Sequence, residues 1–222
     1  MCQLLGMNCN TPTDVTFSFS GFAQRAGNTD DHSDGWGIAF FEDKGVRHFV
    51  DHQRALDSPV ADLIRRYPIQ SCNVISHIRK ATQGAVALQN CHPVVREPWG
   101  RHSGIMQELA NSHAQVPSIG ELTLTLRELA AQIAPHGTFN FLLSNGQALW
   151  AHASTQLYYI ERRYPFAEAQ LADEDVRVDF ATQTAPNDKV AVIVTAPLTS
   201  NETWHAFGHR ELKVFVDGAA CP

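Results

Sequence analysis

The sequence predicts one mixed α+β sandwich, and three observations carry that expectation. Strand-like apolar runs recur along the chain, distinct helical stripes are few, and no shift in composition marks a second domain. Many strands with few helices between them argue against a regular doubly wound βαβ sheet. At 222 residues and 44% hydrophobic content, one domain spanning 1–222 is large enough to enclose a sizeable core.

"GWGIAFFEDKGVRHFV" alternates in apolar character around a polar turn, which predicts a hairpin of strands at 37–41 and 46–50. "SPVADLIRRYP" predicts a helix, with Ser58 as N-cap, Pro59 at the first helical position and Pro68 as the stop. "SCNVISHIR" reads as a buried strand through Val74, Ile75 and Ile78, running into a polar loop at 81–84. Across "ELTLTLRELAAQIAPHG", Leu122, Leu126, Leu129, Ala130 and Ile133 form one helical stripe that Pro135 and Gly137 end. In "FNFLLSNGQALWAH", Asn145-Gly146 between two β-rich runs predicts a hairpin with a type I′ turn. "DKVAVIVTAPL" and "ELKVFVDG" supply two further strands.

The formal charge of −6 and the scattered lysines and arginines lack the basic footprint of a nucleic-acid binder, so a small molecule or a protein is the expected partner. There is no secretory leader pattern and no apolar run long enough to span a bilayer, which predicts a soluble cytoplasmic protein. Cys2, Cys9, Cys72, Cys91 and Cys221 are odd in number and show no Cys-x-x-Cys spacing, as suits a reducing compartment.

Cys2 directly follows the initiator methionine in "MCQLLGM". A short cysteine near a chain end is ordinarily just packed. Removal of Met1, however, would give one residue both a thiol and a free α-amine, a nucleophile with its own base. Arg79 ends the apolar strand of "SHIRKATQG", where a rigid element can present its planar fork to a carboxylate, and Thr82 can add a hydroxyl. His92 precedes a proline and reads as a structural hydrogen-bonding residue rather than a base. In "DDHSDGWG", Gly35 and Gly37 predict close backbone approaches or positive φ. Asp30, Asp31, His32 and Asp34 fit no metal loop, and the pairs His48/His52 and His205/His209 lack a zinc motif, so no metal or other cofactor is expected.

Together "MCQLLGM", "DGWGIAFF", "SHIRKATQG", "CHPVVRE", the 184–188 stretch "TAPND" and "APLTSNETW" resemble, in order and spacing, the class-II glutamine amidotransferases of the small stand-alone branch. The resemblance implies a four-layer αββα sandwich of N-terminal nucleophile hydrolase type. It also implies hydrolysis of the side-chain amide of glutamine, or a related γ-glutamyl amide, through a cysteine thioester. On that analogy Cys2 is the nucleophile and its freed α-amine the base, Arg79 binds the substrate α-carboxylate, Thr82 lines the pocket and His92 lies near it. The ammonia would pass to a synthase partner subunit or simply be released by hydrolysis.

Two family motifs do not occur: a His-Asn-Gly that supplies the oxyanion hole and an acidic Thr-Asp-Ser-Glu-like stretch that binds the substrate amine. After "EPWGRH" the chain passes directly into "SGIMQELANSHAQ". Asn145-Gly146 is explained by its hairpin, and Asn111 lacks the following glycine. Either the protein has lost the segment and is a degenerate binding module, or a family segment is missing between His102 and Ser103. Retention of Cys2, Arg79 and Thr82 favours the second.

Overall fold

The computed structural model describes residues 2–42, 45–82, 84–95 and 117–222. In chain order the elements are β1 (Gln3–Thr13), α1 (Thr16–Gln24), β2 (Trp36–Glu42), β3 (Gly45–Asp51), α2 (Pro59–Arg66), β4 (Ser71–Ile78), α3 (Ile119–Ile133), β5 (Phe141–Ser144), β6 (Ala148–Ala153), β7 (Tyr158–Arg163), β8 (Glu168–Gln170), β9 (Arg177–Asp179), β10 (Lys189–Val194), β11 (His205–Ala206), β12 (Glu211–Val216) and β13 (Ala219–Ala220). Seven strands form an antiparallel sheet in the order β11-β7-β10-β1-β4-β2-β3. A second sheet runs β13-β12-β6-β5, and β8 pairs with β9. The chain is therefore α+β and rich in sheet.

Alternating side chains divide the core into three clusters. On one face of the large sheet, Leu5, Met7, Trp36, Ile38, Phe40, Val74, Ile78, Val192 and Val194 pack with Phe19 and Phe22 of α1 and with Ala61 and Ile64 of α2. On its other face, Ile75, Ala191 and Ile193 meet Leu149, Ala151 and Phe215 of the small sheet. The far face of the small sheet places Ala148, Trp150 and Val214 against Leu122, Leu126 and Leu129 of α3. The Trp150 indole N–H donates to Thr123 Oγ1 at 2.9 Å, so the buried ring's polar atom is satisfied.

A buried polar pin joins the two sheets. Asn8 Nδ2 donates to Asn73 Oδ1 at 3.0 Å, Asn73 Nδ2 to the Gly146 carbonyl at 2.8 Å, and the Gly218 N–H to Asn8 Oδ1 at 2.8 Å. Both asparagines are buried, so removing one would strand its partners at about 1–3 kcal/mol.

Both predicted helices form: Ser58 caps α2 by accepting from the Ala61 N–H, and Ser118 and Glu121 make a capping box at α3. The 145–146 hairpin forms without the expected type I′ turn. That turn needs positive φ at both central residues, and here Gly146 has it (87°) while Asn145 does not. Ser144 pairs with Leu149, leaving a longer connection in which Asn145 Oδ1 accepts from the Gln147 and Ala148 N–H groups. Among the described residues no helix is long and apolar enough to cross a membrane, and none of the five cysteines is in a disulfide.

Candidate active site

Strand register brings two of the sequence-predicted residues, Cys2 and Arg79, together. Across β1 and β4, Gln3 lies opposite Ile78, and across β4 and β2, Ile78 lies opposite Trp36. One residue further along each ladder, Cys2, Arg79 and Gly35 stand side by side, and the Arg79 N–H donates to the Gly35 carbonyl at 2.8 Å. The row behind them is Leu4, His77 and Gly37. By strand alternation these groups share the face that carries Gly6 and Ile75 against the small sheet further along.

Cys2 is partly buried, and its thiol donates to the Lys80 carbonyl at 3.7 Å. Arg79 is only 6% exposed, and its Nη1 donates to the Ala85 carbonyl at 3.1 Å. A permanently charged fork held at a strand end is suited to gripping a carboxylate through two parallel hydrogen bonds. Thr82 lies exposed in the loop that follows.

The two glycines of "DGWG" seat the Cys91-His92 segment on this face. Gly35 has φ of +106°, and a Cβ there would fall 2.5 Å from Cys91 Sγ. A Cβ on Gly37 would fall 2.5 Å from the His92 carbonyl oxygen and 2.9 Å from that of Phe49. Both glycines thus serve the close approaches expected of them. His48, whose pairing with His52 lacks a zinc motif, helps to hold this segment, with its Nε2 2.7 Å from the Pro93 carbonyl oxygen.

The His92 ring meets the His77 ring edge-on at 5.1 Å. Burial, with the charges of His92 and Arg79, brings His77 down from 6.5 to about 3. Partial burial and then Arg79 also hold His92 below its ordinary value, although His92 keeps an exposed edge. Two neutral imidazoles beside a fixed cation keep a second positive charge out of the site. The sequence reading overlooked His77, although period-2 spacing from Arg79 in an apolar strand places it on the same face.

The acidic loop before Gly35 ties down the ends of β1 and β4. Asp30 accepts from Gln3 Nε2 at 2.8 Å, Asp31 pairs with the Lys80 ammonium at 2.6 Å, and Asp34 accepts from the Ala81 N–H at 2.7 Å. Asp30, Asp31 and His32 bring potential ligand atoms within 4.8 Å of one another, while Asp34 turns to Ala81. The second histidine pair is structural: the His205 ring lies 5.3 Å from that of Tyr159, and His209 Nδ1 is 3.1 Å from the Ser154 carbonyl oxygen. "APLTSNETW" is also structural, with Glu202 gripping buried Arg162 through two hydrogen bonds at 2.8 and 2.6 Å. Gly146, rejected above as an oxyanion donor, sits by Asn73, six residues along β4 from Arg79 and hence about 20 Å away. His102, Ser103 and Asn111 lie outside the described residues.

The family model for class-II glutamine amidotransferases matches residues 1–104 and 103–222. A Haemophilus influenzae protein provisionally named a glutamine amidotransferase is 47% identical over 98% of this chain and 85% of its own. The chain belongs to the class-II glutamine amidotransferases. An Escherichia coli relative, provisionally named glutamine amidotransferase YafJ, is 42% identical over 98% of both chains. This family member also superposes on the crystal structure of a predicted glutamine amidotransferase from Pseudomonas aeruginosa, with TM-score 0.74 and 32% identity over the whole of both chains. The glutamine phosphoribosylpyrophosphate amidotransferase of B. subtilis shares the fold at TM-score 0.51 and 12% identity, over 99% of this chain and 48% of that one. The two family matches meet at 103–104, and the Haemophilus alignment runs over 250 positions against the 222 residues here.

Proposed function

We propose that this protein hydrolyses the side-chain amide of glutamine, or of a related γ-glutamyl amide, with Cys2 as an N-terminal nucleophile. The observation that carries the reading is the row of Cys2 and buried Arg79 on one face, at the end of the two central strands. A substrate whose α-carboxylate docks on Arg79 presents its γ-amide toward the neighbouring thiol. Sulfur then attacks the amide carbon, and the thiol proton passes to the α-amine freed by loss of Met1 and on to the departing ammonia. Water hydrolyses the thioester, which releases the acid and restores the thiol. His77 and His92 stay neutral, and Thr82 lines the approach.

The oxyanion donors belong to the family segment that we place between His102 and Ser103. The split family match and the surplus of aligned positions support a segment missing there. The three-cluster core, with α1 and α2 outside one sheet and α3 outside the other, supports the four-layer αββα arrangement of N-terminal nucleophile hydrolases. We place the protein in the cytoplasm, where free thiols persist, with the ammonia passing to water or to a synthase subunit.

Protein lacking Met1 should release ammonia from glutamine, or amine from a panel of γ-glutamyl amides, and Cys2→Ala should abolish it. Turnover of no substrate would reject this reading in favour of a binding module on the same fold.

A further inference from the structure

Among the described residues the thiol of Cys2 donates to a peptide carbonyl, that of Lys80, and the geometry points to what aims that carbonyl. The Lys80 C=O that accepts the thiol and the Ala81 N–H belong to one peptide plane, and in a trans peptide they point in opposite directions. The Ala81 N–H donates to Asp34 Oδ2 at 2.7 Å. The preceding peptide is held as well, because the Asp34 N–H donates to the Arg79 carbonyl at 3.1 Å. Asp34 thus fixes both peptide planes of Lys80 with one backbone and one side-chain hydrogen bond.

We propose that Asp34 is a positioning residue for the nucleophile, acting on Cys2 through the Lys80–Ala81 peptide. This goes beyond the proposed function and rests on it only for the turnover arm of the test. An acceptor bonded to the N–H holds the peptide plane and polarises it, so the Asp34 side-chain oxygen aims the carbonyl that receives the thiol. The side chain needs an acceptor atom in place, and proton transfer is no part of its role. Arg79 is anchored separately, through its own N–H to Gly35 and through Nη1 to Ala85, so the substrate carboxylate site survives loss of the clamp.

The test compares Asp34→Ala with Asp34→Asn, whose amide oxygen can still accept from Ala81. Asp34→Ala should lower kcat for glutamine about 10- to 100-fold, the scale expected of a misplaced reacting group, with KM within twofold. It should also speed iodoacetamide labelling of Cys2 about threefold, as the thiol is released from the Lys80 carbonyl. Asp34→Asn should keep kcat within about threefold and label at the wild-type rate, and unchanged circular dichroism and thermal unfolding should accompany both variants. Wild-type kcat and labelling in Asp34→Ala would overturn the proposal. So would an Asp34→Asn variant as inactive as Asp34→Ala, because the charge rather than the acceptor would then matter. If wild-type protein turns over no amide, the labelling contrast still decides the clamp, and only the proposed function fails.

Discussion

Substituting Gly37 by alanine would probe how the Cys91-His92 segment is seated. The position is not at positive φ, so the perturbation is one methyl group and its contacts. That methyl would fall 2.5 Å from the His92 carbonyl oxygen, 2.8 Å from Val50 Cγ1 and 2.9 Å from the Phe49 carbonyl oxygen. Ordinary contact begins at 3.4 Å, so the His92 backbone must retreat by about 0.9 Å or β3 must move with it. Over-packing of this kind costs about 1–3 kcal/mol. His92 packs on His77 in the row next to Cys2 and Arg79, so a shift approaching 1 Å there should lower kcat/KM for glutamine roughly 10- to 100-fold. Urea unfolding and ammonia-release kinetics read the two effects separately. Gly120→Ala in α3 is the control: its methyl meets nothing within 4 Å, so activity should be unchanged and stability slightly raised. A Gly37→Ala protein with wild-type stability and kcat/KM would refute the seating of this segment.

Stability should also depend on pH through His77. The unfolded chain takes up a proton near 6.5 that the fold refuses until about 3, so this contribution is full above pH 6.5 and is lost as pH falls toward 3. The slope approaches ~1.4 kcal/mol per pH unit from this residue, and His92 and His152, both lowered by burial, act in the same direction. The urea midpoint should therefore drop between pH 7 and pH 5, and His77→Phe should reduce that drop; an identical drop in both proteins would exclude His77 as a cause. At Arg79, lysine keeps the charge and loses the planar fork, so Arg79→Lys should raise KM for glutamine about tenfold or more while affecting amides without an α-carboxylate far less. An unchanged KM would remove Arg79 from carboxylate binding.

Much of this arrangement was legible in the sequence where local pattern decides it. The hairpin of β2 and β3, the apolar runs of β4, β10 and β12, and the capped helices α2 and α3 all follow periodicity and punctuation. Other elements depend on distant partners. The stretch "TFSFSGFAQ" alternates like a strand and has no side-chain cap, yet it forms α1 because Phe19, Phe22 and Ala23 pack into the large-sheet core. The opening "MCQLLGM" draws attention to Cys2, yet from Gln3 onward it is the central strand, a fact fixed by pairing with β4 and β10 rather than by local composition. For the site, Cys2, Arg79 and the two glycines could be named from sequence. From sequence Asp34 stands out only as one of a cluster of metal-ligand types, because its partners at 79 and 81 are set by a loop meeting a strand end.

The central claim is that Cys2, as the first residue of the working chain, attacks a γ-carbonyl. Its most direct test is intact-mass and peptide mass spectrometry after incubation with a chloromethyl ketone analogue of glutamine. The account predicts one adduct per chain, on a Cys2 that carries a free N-terminus, and protection by excess glutamine. Retention of Met1, or a label that spares Cys2 for Cys72, Cys91 or Cys221, would contradict it.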